Sequence, residues 1–124
     1  MMERQYIELL GEKHPLCFSM SAAQRLTERF GSLDEMGAQL GSEDASIRRD
    51  AINDALEELM QAGRVYAKAL GEPLPPQLPC KPADVLPPQT APVLALILRT
   101  MRGDSQRDVE AEGSVKNVEA TPGD

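Results

Sequence analysis

Along the chain, apolar and polar residues first alternate and then recur at helical spacing. Tyr6-Ile7-Glu8-Leu9-Leu10 and His14-Pro15-Leu16-Cys17-Phe18 read as two short strands, with Gly11-Glu12-Lys13 as the hairpin loop between them. Pro15 has no N–H to give to a ladder, which predicts an edge position for the second strand or a start near the proline. A lone hairpin is marginal in water, so it must lean on helices.

From Ser21 the period changes to 3.6. Ser21 and Gln24 form a capping box, Ala22, Ala23, Leu26 and Phe30 share one face, and Gly31 is placed to end the helix. A second box, Ser32 to Glu35, follows directly. It predicts a short helix to about Leu40 and a tight helical corner around Gly31. The longest helix is expected after Gly41-Ser42. Ile47, Ala51, Ile52, Ala55, Leu56, Leu59, Met60, Gly63, Ala67 and Leu70 make its apolar face. Arg48, Asn53, Asp54, Glu57, Glu58, Gln61, Arg64 and Lys68 occupy the other side. Glu43 and Asp44 fall in its first turn, where the helix dipole favours acids, and Gly71 ends it.

Eight prolines then fall between Pro73 and Pro92 and forbid a continuous helix or a central strand. Pro73 to Pro82 reads as an extended connector, with room for a helical turn at Ala83 to Leu86. Helical pattern resumes after Thr90, with Pro92 tolerated in the first turn, and Val93 to Met101 is apolar almost all round. After Gly103 the pattern gives way to acidic, Gly- and Ser-containing sequence that cannot bury enough surface to offset chain entropy. The fold class expected is α+β: an N-terminal two-stranded β-hairpin packed on a small, mostly helical domain, then a disordered acidic tail. The divisions are a hairpin and helical core over 1–72, a Pro-rich connector over 73–89, an apolar helix over 90–102 and the tail over 103–124.

Composition narrows the function. With 124 residues, 41% hydrophobic content, 3% aromatic content and no Trp, the chain supports one modest core of Leu, Ile, Ala and Met. Its net charge of −7 repels phosphate backbones and argues against a nucleic acid partner. The charge is uneven: from Gly103 on, six acids stand against Arg107 and Lys116, leaving fourteen acids and eleven bases before it. The longest apolar run, Val93 to Leu98, falls far short of the ~18 residues of a spanning helix, and charges at Glu3, Arg4 and Glu8 argue against a secretory leader. Cys17 and Cys80 have no metal-like spacing and read as free thiols in a reducing compartment. A protein that is soluble and intracellular is expected.

Chemistry is scarce. His14 is the one histidine, and it reads as a solvent-exposed strand residue without a nucleophile or second metal ligand nearby. Asp34-Glu35, Glu43-Asp44 and Glu57-Glu58 are helix-start or solvated-face features. No EF-hand spacing, phosphate loop or nucleophile elbow occurs. Neither catalysis nor a metal nor a cofactor is predicted. The stretch from Arg25 to Met36, with its Phe30-Gly31-Ser32 corner, looks like the trailing half of a helix-hairpin-helix DNA-binding element. The residues before it, Cys17-Phe18-Ser19-Met20, lack the glycine that such a hairpin uses to grip phosphate.

The order of features carries a family resemblance. A hairpin whose second strand reads His14-Pro15-Leu16-Cys17-Phe18 leads into a helix, the Phe30-Gly31-Ser32-Leu33 corner, and a long Ala- and Leu-rich helix through Gly63. A connector, an apolar segment ending Met101-Arg102 and a polar tail follow. Over roughly residues 5 to 102 this resembles the tail assembly chaperones of long-tailed, siphovirus-type bacteriophages and prophages of Gram-positive bacteria. The number of connector prolines and the apolarity of the last helix depart from the family pattern. The resemblance implies a non-enzymatic protein of the bacterial host cytoplasm, absent from the mature virion. Such a protein binds and solubilises the helical tape measure protein and helps recruit tail tube subunits. It also implies a possible longer, frameshifted form of the protein itself, and Val115-Lys116-Asn117 can be encoded by an A-rich, slippery stretch. A homo-oligomer is compatible with this role, and neither nucleic acid nor membrane is an expected partner. Shielding apolar helical faces requires a complementary apolar surface. Leu26, Phe30, Val93, Leu94, Ile97, Leu98 and Met101 are the candidates for it. The alternatives are a structural head–tail connection protein of a phage and a helix-hairpin-helix-like DNA-binding adaptor.

Overall fold

The computed structural model describes residues 5–113, with side chains through residue 103. Strands β1 (Gln5–Leu9) and β2 (Glu12–Leu16) pair antiparallel, with Gln5 opposite Leu16 and Leu9 opposite Glu12. The hairpin turns through Leu10 and Gly11, both at positive φ, 53° and 80°. Two successive left-handed residues make the turn whose twist matches that of the strands. Glu12 and Lys13, expected in the loop, therefore belong to β2, because Leu10 adopts a conformation that its side chain disfavours. Both strands are edges of a two-stranded sheet, so Pro15, opposite Tyr6, is tolerated as expected.

Helix α1 (Met20–Phe30) is capped by Ser19, whose hydroxyl accepts from the Ala22 amide at 3.1 Å, so it starts just before the Ser21 box. Gly31, at φ 91°, ends it and donates its N–H to Thr27 O at 2.7 Å. Ser32 immediately caps α2 (Leu33–Leu40), accepting from the Glu35 amide at 3.0 Å, and the expected corner forms. Helix α3 (Ala45–Ala69) is capped by Asp44, which accepts from the Ser46 and Ile47 amides. The acid thus caps the helix from outside instead of lying within the first turn.

Helix α3 is the axis of the molecule. Ala51, Ile52, Ala55, Leu56, Leu59 and Met60 are buried along it, and β2, α1, α2 and α4 all pack on it. At Gly63 it passes so near β2 that a side chain there would run into the Pro15 carbonyl. The approach lets the Cys17 N–H donate to Leu59 O, in mid-helix, at 3.1 Å. Ile47 and Leu70, at the two ends of the expected apolar face, are exposed. Asn53, expected on the polar face, is buried because the connector folds over it: its Oδ1 accepts from the Ala83 amide at 3.0 Å.

The connector is extended, as its prolines require, except for a 3-10 turn at Pro82–Asp84. It is tied to α3 twice, by that Asn53 bond and by Arg64, which donates to Pro75 O at 2.8 Å. Helix α4 (Ala91–Gly113) closes the core with Val93 and Ile97. Thr100 shares their buried side, its hydroxyl satisfied by Leu96 O at 2.9 Å. The helical backbone of α4 carries on past Arg102, and residues 114–124 of the expected disordered tail lie outside the described residues.

Candidate partner-binding surface

Burial divides the seven candidate contact residues. Leu26, Phe30, Val93 and Ile97 are core residues, at 0–7% exposure, and this fold offers none of them to a partner. The reason is geometric. A short helix lying on α3 has one buried face, and α1 uses its face for Leu26 and Phe30. Val93 and Ile97, four residues apart, do the same for α4. The other three remain: Leu94, Leu98 and Met101, at i, i+4 and i+7, form one stripe along α4. Leu98 is 44% exposed, while Leu94 and Met101 are half-buried and touch the core edge. The stripe therefore borders both the core and solvent.

Beside the N-terminal turn of α4 lie two recesses that the sequence did not reveal. One, of about 490 Å³, has Ile52 and Val93 in its walls, with Leu86, Pro87 and Pro88 of the connector and Arg48 and Arg49 of α3. The other, of about 440 Å³, is lined by Ile7, Pro92 and Leu96 and shares Leu86, Pro87 and Val93 with the first. The two recesses share those three residues as walls; the second is almost wholly apolar, and the first is mixed, with Arg48 and Arg49 on its α3 side. Arg48 is held in place by donating to Ser42 O at 2.6 Å, a bond that leaves its positive charge unneutralised. Arg49 pairs with its neighbour Asp50, both well exposed. A proline run next to an apolar helix was the visible signal, because prolines pack as rigid walls without closing down on the helix.

Two other arginines serve the fold. Arg25 bonds Glu58 at 2.7 Å, and Arg29 reaches Asp54, Glu57 and Glu58 at 3.1–3.2 Å, locking α1 to α3. Burial opposes the charge on Arg29, but Asp54, then Glu57 and Glu58, more than offset it and raise its pKa. A phosphate approaching the helical corner would have to displace these carboxylates, which argues against the DNA-binding alternative.

His14 is 2% exposed, not the solvent-facing residue its place at a strand start implied. It lies opposite Ile7 in the sheet, on the face that the connector and α3 cover. Its Nε2 has no hydrogen-bond partner. Burial, followed by the nearby Arg64 charge, lowers its pKa below 6.5 against the smaller opposing pull of Glu12, so the fold favours the neutral imidazole. Among the described residues, no group of three or more His, Cys, Asp or Glu side chains is placed to hold a metal ion. Neither Cys17 nor Cys80 is part of a disulfide. No described helix is long and apolar enough to cross a membrane. No protein-family model, curated protein or solved structure matches this chain.

Proposed function

We propose that this protein is a tail assembly chaperone of a long-tailed phage or prophage, and that it acts by binding the tape measure protein through α4. The observation that carries this reading is the Leu94–Leu98–Met101 stripe. It leaves apolar surface at helical spacing on the rim of the core, on a body whose net charge is −7. A long, apolar helical client is recognised by such a stripe through i, i+4, i+7 contacts, while the charged body keeps the complex in solution. The order of elements also supports it, since hairpin, helical corner, long helix, connector and final helix follow one another as the resemblance implies.

In this reading the protein works in the host cytoplasm, recruits tail tube subunits to the coated tape measure, and is left out of the finished virion. The decisive experiment is co-expression with the tape measure protein encoded in the same tail operon. Soluble recovery and co-purification of the client are expected with the wild-type chain and are lost with Leu98→Asp. A client that stays insoluble, while this protein alone assembles into a discrete ring retained in particles, would replace the chaperone by the head–tail connection protein.

A further inference from the structure

The one histidine of the chain is sealed beneath the connector in a place that suits its neutral form. His14 shares the wall of a cavity of about 240 Å³ with Glu57 and Arg64 of α3 and with Leu78, Cys80 and Pro82 of the connector. Its Nε2 is buried without a hydrogen-bond partner. A neutral imidazole bears that at modest cost, whereas an imidazolium carries two N–H donors and a charge that must be paired or solvated. The groups around it do not supply the pairing. On α3, Glu57 is engaged twice, since its Oε1 accepts from Arg29 and its Oε2 from Asn53, each at 3.2 Å. Arg64, on the same helix, repels an imidazolium. On β2, Glu12 attracts one, but more weakly than Arg64 repels it. The opposing strand presents Ile7, and the connector presents the Cys80 thiol.

We propose that the connector is a proton-sensitive strap: a neutral His14 lets residues 72–82 close over α3 and β2, and protonation of that imidazole releases them. The strap yields before the rest of the cover because it is held more weakly. Strand β2 is fixed to α3 by the close crossing at Gly63, by the Cys17–Leu59 bond and by the fully buried Leu16. The connector has no ladder or long helix of its own, and the side chains that tie it to α3 are Arg64, at Pro75 O, and Asn53, at the Ala83 amide. Arg64 is thus both a tie of the strap and the cation that an imidazolium repels, so the proton acts on the latch itself. Release gives the imidazole water and uncovers Met60, an apolar surface of α3 that the closed fold hides. The device belongs to the fold and stands apart from the identity of the client.

The test is amide hydrogen exchange by NMR on the full chain at about pH 7.5 and about pH 5, with rates corrected for their intrinsic pH dependence. The Ala83 N–H, bonded to Asn53 Oδ1, reports the strap, and the Cys17 N–H, bonded to Leu59 O, reports the crossing of β2 and α3. Opening is expected to grow as pH falls below 6.5, by up to about tenfold per unit, until the closed form itself takes up the proton. Ala83 should therefore lose about threefold or more of its protection while Cys17 keeps its own. His14→Gln removes the titrating group and is expected to leave Ala83 equally protected at both pH values. Arg64→Gln removes the repelling cation. With it the imidazole signal of the single histidine should titrate closer to 6.5, and the acid loss at Ala83 should shrink. That variant decides the matter if His14→Gln does not fold. Ala83 protection indifferent to pH in the wild type, an acid loss shared equally by Cys17, or a loss undiminished in either variant overturns the strap.

Discussion

Substituting Gly63 by alanine tests the packing on which the whole fold depends. In the interior of an exposed helix, alanine is favoured over glycine by about 1 kcal/mol. Position 63 reverses that preference, because an added Cβ would collide with the Pro15 carbonyl and stand 2.9 Å from Leu16 N. These are backbone atoms and cannot rotate aside, so α3 and β2 must separate. Separation weakens the Cys17–Leu59 hydrogen bond, worth about 1 kcal/mol. It also loosens the packing of Leu16 and Leu59, both fully buried, at a cost of about 1–3 kcal/mol. Set against the gain in helix propensity, the net loss is about 2 kcal/mol, or a fall in Tm of roughly 10 °C. Gly37→Ala is the matched control: that residue lies inside α2 with no atom near its missing Cβ, and the substitution should add about 0.5–1 kcal/mol. Urea unfolding followed by circular dichroism gives both values. If Gly63→Ala were as stable as the wild type, or more so, the close crossing of α3 over β2 would be refuted.

The buried His14 makes stability depend on pH. Its folded-state pKa is below the unfolded value of 6.5, so the unfolded chain takes up the proton first, and stability is complete above pH 6.5 and lost as pH falls below it. Comparing denaturation midpoints at about pH 7.5 and about pH 5.5 should show a drop that is smaller in His14→Leu, and equal drops in the two proteins would refute it. Asn53→Ala leaves the Ala83 amide without its acceptor and should cost about 1–3 kcal/mol, with faster hydrogen exchange at Ala83 than in the wild type. Arg29→Gln leaves Asp54, Glu57 and Glu58 crowded without their shared cation. The pair is partly exposed, so the loss should be about 1 kcal/mol and should shrink at high salt, which thermal melts at two salt concentrations would reveal.

Local signals carried by neighbouring residues were sufficient for much of the fold. Ser32 capping α2, Gly31 ending α1, the prolines keeping the connector extended, and the 3.6-residue recurrence along α3 all act within a few positions of one another. Those features, and hence the α+β class, were determined by the sequence alone. What it left open was which of several apolar faces would be covered. Leu26, Phe30, Val93 and Ile97 have the same residue chemistry as Leu94, Leu98 and Met101. Only the docking of α1 and α4 on α3 sends the first set inward and leaves the second at the rim. The burial of His14 and Asn53 has the same origin, since each is covered by a connector that is distant in sequence and arrives only when the chain has folded. The recess beside Arg48 is likewise a product of assembly, made where α3, the connector and α4 meet. Short-range hydrogen bonding and steric rules are written in adjacent residues. Burial is a property of what packs above them, and tertiary structure alone decides it.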